Sequence, residues 1–485
     1  DDLLFYFNGD PNATSITICC DDFVAAGAND ELLVDVQMWV EDEEGNTDYC
    51  KTVIIVQDNQ DICPNTGNAK GRITGDLKTE KGDETEFGDV QMYVGPSMKK
   101  QVITHSDGHF MFGDLDYGPA SEYVVRPFRT DNPINGVSTA DIVKIQRHIL
   151  GIESLNSPYK LIAADVNNST TITSADVSEI RRLILGITSE FSKVQSWTFV
   201  PTAYTFVDPT YPFKAPREAI IPMPDAGKHN EDFVAIKMGD VTNNAQAHNF
   251  SGISSRHNDQ LHLEIESGKL KAGETYTVEF KSSNFNDIAG YQFTLKFDQE
   301  AMVYTELKSG VLNVDESNFG MKSLENGIIT TSWNNKEGLS FGKDDVLFSL
   351  TFTAMKDVNI EELLAITSDI TAAEAYNAKL DIKGVDLSVR TDNGVVESGV
   401  FELYQNSPNP FEVETSISFR LPNAGPALLT IYDVTGKVVR VYDIKGVKGL
   451  NTLKIEKDEI ENSGVLYYQL DGAGHTATKR MTKLK

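Results

Sequence analysis

The sequence predicts a mainly β, multi-domain array of β-sandwiches with one small α-helical insert. Three observations lead there. Most of the chain alternates apolar and polar residues in short runs such as "LHLEI", "YQFTLKFD" and "VLFSLTF", separated by Gly, Asn and Asp turns, which is the period of half-buried strands. The period lengthens to that of a helix only within residues 129–190. At 485 residues the chain is too long for one hydrophobic core and predicts about three to five domains.

Composition narrows the function. The chain is 40% hydrophobic, with 24 Phe and 17 Tyr, a globular rather than a disordered balance. A net charge of −29 argues against nucleic acid, which needs a basic face, while acidic loops suit hard divalent cations. No run approaches the ~20 apolar residues of a membrane span. The chain opens on Asp1 without a secretory leader, so a processed or truncated piece is expected. Patterns for a nucleophile elbow, a zincin helix, a phosphate loop and a dinucleotide fingerprint are absent, so no enzyme is expected.

Residues 1–63 read as β-structure. Leu32, Val34, Val36, Met38 and Val40 alternate, the turn "EDEEGN" follows, and "CKTVIIV" returns. All four cysteines fall here: Cys19, Cys20, Cys50 and Cys63. A bridge between the adjacent pair would be strained. Strand parity puts Cys20 with Ile16 and Ile18, and Cys50 with Ile54 and Val56, favouring a buried Cys20–Cys50 bridge and Cys19–Cys63 nearer the surface. Bridges imply an oxidising, extracellular compartment; free buried thiols are the other reading. The pattern "CDDF…VQMWVEDEEGNTDYCKTVIIVQDN" resembles the end of an immunoglobulin-like, hyalin-repeat-type module, so an incomplete sandwich is expected.

Residues 68–128 carry short strands around Asp-Gly and Tyr-Gly-Pro turns ("GRITGDLKTEKGDETEFGDVQMYVG", "THSDGHFMFGDLDYGPASEYVVRP"). They resemble the carboxypeptidase-regulatory-like sandwich, a non-catalytic spacer module. His105 and His109 flank its Ser-Asp-Gly turn and read as exposed hairpin histidines rather than a metal pair.

Within residues 129–245 lies an internal repeat. "VSTADIVKIQRHILGI" aligns with "ITSADVSEIRRLILGI" at an offset of 35, with eight of sixteen positions identical. Each copy predicts a helix with an apolar stripe (Ile142, Ile145, Ile149; Val177, Ile180, Ile184) and a stop at Gly151 or Gly186. The aromatic and proline-rich stretch 191–244 reads as a strand-and-loop cover for the helical pair.

The chemistry concentrates between the two helices. Asp165, Asn167 and Ser169 place oxygen ligands at loop positions 1, 3 and 5, Thr171 offers a carbonyl at 7, and Asp176 a carboxylate at 12. That is EF-hand-like calcium spacing. Thr170 stands where Gly is usual at position 6, and Asp176 replaces the longer Glu. Thr173-x-x-Asp176 and Ser138-x-x-Asp141 are also capping boxes, which need no metal; capping leaves Asp165 and Asn167 unexplained. In the first copy the same offset puts Thr130, Asn132, Ile134 and Gly136 at positions 1, 3, 5 and 7 and Asp141 at 12, a weaker ligand set. Asp240-Val-Thr-Asn243 reads as a surface turn. The duplicated loop and helix, "ADVNNSTTITSADVSEIRRLILGI", resembles a type I dockerin, which implies calcium as the cofactor and a protein partner.

Residues 258–392 alternate throughout. "GETYTVEFKSSNFNDIAGYQFTLKFDQEAMVY…GIITTSWNN…VLFSLTFTAMKD…TAAEAYN" resembles cohesin-like sandwiches, a fold shared with some carbohydrate-binding modules. Residues 400–485 end the chain. "LYQNSPNPFEVETSISFRLPNAGPALLTIYDVTGKVVR", "SGVLYYQL" and "KRMTKLK" resemble the type A sorting domain of type IX secretion substrates. The motif residues are Asn409, Pro410 and Phe411, the Asp433–Gly436 hairpin, and the basic tail Lys479, Arg480, Lys483 and Lys485. The Ile417/Phe419/Leu421 face is predicted to pack on Leu429 and Ile431.

Together these resemblances imply a non-catalytic secreted or cell-surface protein of structural or adhesive role. They imply calcium-rigidified helices, export by the type IX machinery through 401–485, and assembly through cohesin-like and dockerin-like contacts, by self-association or with another surface protein. The rival readings are the accessory tail of a secreted hydrolase and a polysaccharide-binding module, for which Trp39, Trp197 and Trp333 are candidate sugar platforms.

Overall fold

The computed structural model describes residues 4–11, 13–20, 22–23, 31–41, 47–57, 71–118, 121–223, 228–247, 259–360, 363–391, 394–397, 401–406, 408–411, 414–421, 424–433, 437–447, 449–460, 464–472 and 475–483. Cys63, Gly436 and Lys485 lie outside them. The described residues are mainly strand, with three α-helices among them, as the sequence predicts.

Strands β1 (Leu4–Phe7), β2 (Glu31–Glu41) and β3 (Thr47–Gln57) form an antiparallel sheet in that order. Leu32 and Val36 of β2 are buried. Strand β3 is not: Tyr49, Cys50, Val53, Ile54 and Ile55 are all exposed. Cys19 and Cys50 are both free thiols. Each expected bridge needs one of these two sulfurs, so neither Cys20–Cys50 nor Cys19–Cys63 forms. Cys50 shares a face with Ile54, as parity predicts, but on this strand that face meets solvent. Tyr6, Trp39 and Tyr49 stand directly opposite one another across the three strands. Their rings stack face to face, at 6.2 Å and 8° and at 4.5 Å and 20°, so the faces of Trp39 are spent on its neighbours.

A sandwich follows. Its strands are β4 (Gly71–Thr79), β5 (Asp89–Val94), β6 (Ser97–Ile103), β7 (His109–Leu115) and β8 (Glu122–Phe128), joined after the helices by β9 (Trp197–Pro201), β10 (Ala219–Pro222), β11 (Lys228–Asn230) and β12 (Phe233–Lys237). One sheet runs β10-β8-β5-β6; the other runs β11-β4-β12-β9, with β7 paired to β4. Strands from 197–237 thus complete the sheets of 71–128. Their second faces serve the helices. Trp197, Phe199, Phe233 and Ala235 enter the sandwich core, whereas Val200 and Ile236 join the helical core. Use of both faces explains why β9 and β12 are buried almost without alternation. His109 pairs with Asp76 at 2.8 Å, and His105 is exposed.

Helices α1 (Thr139–Ile149), α2 (Pro158–Ala164) and α3 (Ser174–Ile184) stand where the repeat predicts the outer two. Both capping boxes form. Gly151 and Gly186 adopt φ of +68° and +65° just past the C-caps, a left-handed stop that favours glycine. Ile142, Ile145, Ile180 and Ile184 are core, with Val177 packed against them; Ile149 is 39% exposed and lies outside the stripe.

The next sandwich contains β13 (Gln260–Glu266), β14 (Lys269–Leu270), β15 (Thr275–Phe280), β16 (Ile288–Phe297), β17 (Met302–Ser309), β18 (Phe319–Gly320), β19 (Ile328–Leu339), β20 (Phe348–Ala354), β21 (Val358–Asn359), β22 (Leu364–Thr367), β23 (Glu374–Asn377), β24 (Ile382–Thr391) and β25 (Gly394–Glu397). The large sheet runs β13-β24-β23-β16-β19-β18 and faces the sheet β15-β20-β17. Between them lies an aromatic core that includes Phe280, Tyr291, Phe293, Trp333, Phe348 and Phe352. Strand β16 is buried on both faces over Ile288–Leu295, so something covers the outer one.

The last sandwich comprises β26 (Glu402–Leu403), β27 (Glu414–Leu421), β28 (Gly425–Asp433), β29 (Val438–Gly446), β30 (Gly449–Glu456), β31 (Gly464–Gly472) and β32 (His475–Lys483). Its sheets are β26-β27-β30 and β29-β28-β31-β32. Ile417, Phe419 and Leu421 share a core with Leu429 and Ile431, the packing their alternation predicts. Arg420 reaches Asp386 of β24 at 3.4 Å.

Candidate functional site

The cover over β16 is the helical pair. Core residues of β16 and β19 alternate with Gly290, Gln292 and Thr294 on one strand and Thr330, Ser332 and Asn334 on the other, paired in register as Gly290↔Asn334, Gln292↔Ser332 and Thr294↔Thr330. In sequence this is the polar, solvent-facing half of an alternating strand. In the fold, Gln292, Thr294, Thr330 and Ser332 are at most 3% exposed. Buried polar groups need partners, and the helices supply them. Gln292 Oε1 accepts from Thr139 N at 2.7 Å, and Ser332 Oγ meets Thr139 Oγ1 at 2.7 Å. Asn334 Nδ2 donates to Gln146 Oε1 at 2.7 Å, and Asn334 Oδ1 accepts from Arg181. Arg147 donates to the carbonyls of Lys336 and Ala378, each at 2.8 Å.

Helix ends explain this chemistry. The last carbonyls of an α-helix and its first N–H groups have no partner within the helix. Thr330 Oγ1 and Thr371 Oγ1 donate to the carbonyls of Leu185 and Ile184 at the end of α3, at 2.7 and 2.6 Å. Gln292 takes an N–H at the start of α1. The sheet therefore caps one helix at its start and the other at its finish. Contact is close as well as polar. A Cβ on Gly290 would lie 2.9 Å from Thr139 Cγ2 and 3.5 Å from Val143 Cγ2. Tyr376 of β23 completes the seat: its hydroxyl donates to Glu374, and burial pushes its phenol well above the usual range.

The loop ahead of α3 brings the five expected ligands into one network. Asp165 is 4% exposed and Asp176 fully buried. Asp165 accepts from Ser169 N and Thr170 N, both at 2.8 Å. Asp176 accepts from Asn167 N at 3.3 Å and Thr173 N at 2.9 Å. Ser169 Oγ and Thr171 Oγ1 are 3.0 Å apart. Thr170 takes φ of +65°, the conformation for which glycine is usual at that position. Burial raises the Asp176 pKa, and the charge of Asp165 raises it further. Asn167 Oδ1 is buried without a hydrogen-bond partner. Two crowded carboxylates and an orphaned amide oxygen fit a hard cation. The remaining donors are amide, hydroxyl and carbonyl oxygens, and no group of three or more His, Cys, Asp or Glu that could hold a metal occurs among the described residues.

The first copy is built differently from its sequence reading. Thr130 and Asn132 are exposed. Asp141, fully buried, accepts instead from Val241 N and Thr242 N, both at 2.9 Å. Asp240, read as part of a surface turn, is 3% exposed. It accepts from Thr242 Oγ1 at 3.0 Å, Asn244 N at 3.3 Å and Ala245 N at 2.8 Å. Asp165 likewise accepts from the residues four and five positions on, and Asn168 and Asn243 both have positive φ. Residues 240–245 thus supply the first half of a loop whose second half, Gly136–Asp141, stands a hundred residues earlier. The missed signal was "ADVNN" at 164–168 returning as "GDVTNN" at 239–244. Burial, and then the charge of Asp240, pushes the Asp141 carboxyl up to about 8. Lys237, whose Nζ donates to Pro133 O at 2.6 Å, is brought down by burial to about 7.

Other expected residues fall elsewhere. Trp197 and Trp333 are core, so neither offers a sugar platform. In the last sandwich Asn409 Oδ1 accepts from Thr482 N at 2.7 Å, and Phe411 N donates to Thr482 O at 3.0 Å, which ties the Asn-Pro-Phe segment to β32. Asp433 Oδ1 accepts from Lys437 N at 3.1 Å. Lys479 and Arg480 are exposed, but Lys483 is buried and donates to Ile460 O, so it is no part of a basic surface.

No described helix is long and apolar enough to cross a membrane. No curated protein matches the chain. Among solved structures, it is similar to the OlpA cohesin in complex with a dockerin from Clostridium thermocellum, at 17% identity over 26% of this chain and 99% of that one, with a TM-score of 0.20. It is similar to the sixth scaffoldin B cohesin of Acetivibrio cellulolyticus, solved with a Cel5 dockerin mutant, at 19% identity over 27% and 97%, with a TM-score of 0.21. The type II cohesin dyad of the ScaA scaffoldin from the same organism covers 47% of this chain and 96% of its own, at 12% identity and a TM-score of 0.22. The family model for the cohesin domain matches residues 261–390, the sandwich that seats the helices.

Proposed function

We propose that the chain is a non-catalytic, secreted surface protein of scaffold or adhesive role, whose cohesin domain holds the chain's own dockerin-like helices. One observation carries the reading: the polar outer face of β16 and β19 is buried, and its side chains are met by Thr139, Gln146, Arg147, Arg181 and the end of α3. A cohesin domain is an interaction module, and here the interaction is made within one molecule.

Calcium belongs to the same reading. Asp165, Asn167, Ser169, Thr171 and Asp176 would hold one ion. Asp141 and the Gly136 carbonyl, with Asp240, Thr242 and Asn244 in place of Thr130 and Asn132, would hold a second. A bound cation would neutralise paired carboxylates and fix both loops from which α1 and α3 start. Residues 401–485 would carry the export address for type IX secretion. The test is thermal unfolding of the whole chain. Calcium that binds only the folded form adds RT ln(1 + [L]/Kd), about 2.7 kcal/mol at a hundredfold excess over Kd. The midpoint should therefore rise with millimolar calcium and hardly with magnesium. An identical midpoint with and without chelator removes calcium from the reading and leaves two capped helices.

A further inference from the structure

We propose that the helix-binding face of the cohesin domain is dedicated: it serves the helical segment of its own chain and is closed to the same segment of another molecule. The inference rests on the reading that this face recognises dockerin-like helices, and adds that the recognition is consumed within the chain.

Three features carry it. First, Gln292, Thr330, Ser332, Asn334 and Thr371 are already hydrogen-bonded to the helices. An incoming helix must break those bonds before forming its own, and each buried group left unmade is costly. Second, the fit leaves no slack. A Cβ on Gly290 would lie 2.9 Å from Thr139 Cγ2, and one on Gly320 would lie 2.6 Å from the Leu185 carbonyl. Third, the two sides are tethered. Eleven residues, 248–258, connect them, a span of at most about 40 Å. Short tethers give effective concentrations in the millimolar range. A second molecule at micromolar concentration, offering the same contacts, loses that competition by about a thousandfold.

The helices are also held from behind. Val200 and Ile236 of the neighbouring sandwich belong to the helical core, so the helices do not leave as a loose peptide.

Two variants of the full chain test the proposal. Val143 is buried yet outside the helical core, so Val143→Arg spoils the helical side and leaves an intact, empty cohesin face. Gly290→Arg spoils the face and leaves intact, unseated helices. Light scattering and fluorescence anisotropy with a labelled Gly290→Arg chain are the readouts. Wild type should be monomeric and should ignore the labelled chain at micromolar concentration, while the Val143→Arg chain should capture it one to one. Capture by wild type overturns the closure and leaves the recognition standing. Failure of the two variants to associate, with circular dichroism unchanged from wild type, overturns the recognition itself. If an arginine variant does not fold, Arg147→Ala and Asn334→Ala open the same contact more gently and are read the same way.

Discussion

Asn167 is the residue at which the loop chemistry is most sharply posed. Its side-chain oxygen is buried beside two carboxylates and has no donor. Without a cation that arrangement is a cost, and with one it is a ligand. Asn167→Ala should therefore leave the calcium-free chain unchanged or slightly more stable, by about 1 kcal/mol at most. In millimolar calcium it should lower the midpoint; denaturation with and without chelator separates the two effects. The cysteines give a simpler expectation. Cys19 and Cys50 are exposed thiols, so an aromatic disulfide reagent should find both fast under native conditions, and Cys50→Ser should remove one without loss of stability. Both residues show what a sequence can and cannot yield. Spacing alone marks Asn167 as an expected ligand, and in the fold its side-chain oxygen is buried. Parity put Cys50 on a face shared with Ile54, but which face a second layer covers is a tertiary fact that alternation does not carry.

Among the elements, the strands were legible and their partners less so. Period-two runs located β13, β16 and β20, and the offset of 35 located α1 and α3. The repeat could not reveal that α1 draws half its loop from residues 240–245, because a discontinuous loop has no spacing to measure. Nor could alternation foretell that Gln292 and Ser332, polar on the solvent half of their strands, would be buried against helices from elsewhere in the chain. The parallel pair β13–β24 supplies a test at this scale. Glu264 is 1% exposed. Burial raises its pKa, but hydrogen bonds from Ser283 and Arg390 outweigh that and hold it below the ordinary value. A lowered folded-state pKa contributes stability above the unfolded value, near 4.3, and that contribution is lost as pH falls through the folded one. Arg390→Gln should thus destabilise the chain at neutral pH, and its deficit against wild type should shrink below about pH 4. Urea midpoints from pH 7 down to pH 3 will show whether the two curves converge.

At the scale of the molecule, the seat of the helices on β16 and β19 joins two sandwiches that a linear array would only string together. Contacts between neighbouring domains are ordinarily small and permissive of motion; this one caps two helix ends and buries Arg147 between carbonyls of the opposing body. Residues 71–391 should therefore melt as one cooperative unit. Differential scanning calorimetry of wild type should show a single transition for this region, and Val143→Arg should divide it, lowering the earlier component by several degrees. Two transitions in wild type would mean the bodies unfold independently.

The seat for the helices also bears on how the molecule is made. Synthesis delivers α1 and α3 more than a hundred residues before β16 and β19, so the helices wait for their partner while the ribosome works. The sheet, once built, waits in turn for the helices to settle. Its docking face is hydroxyl and amide, from Gln292 through Thr294, Thr330 and Ser332 to Asn334. Such a surface is content in water. An apolar seat of equal closeness would be a hazard during that interval, open to any greasy neighbour; a wettable one lets each half fold at its own pace and join late.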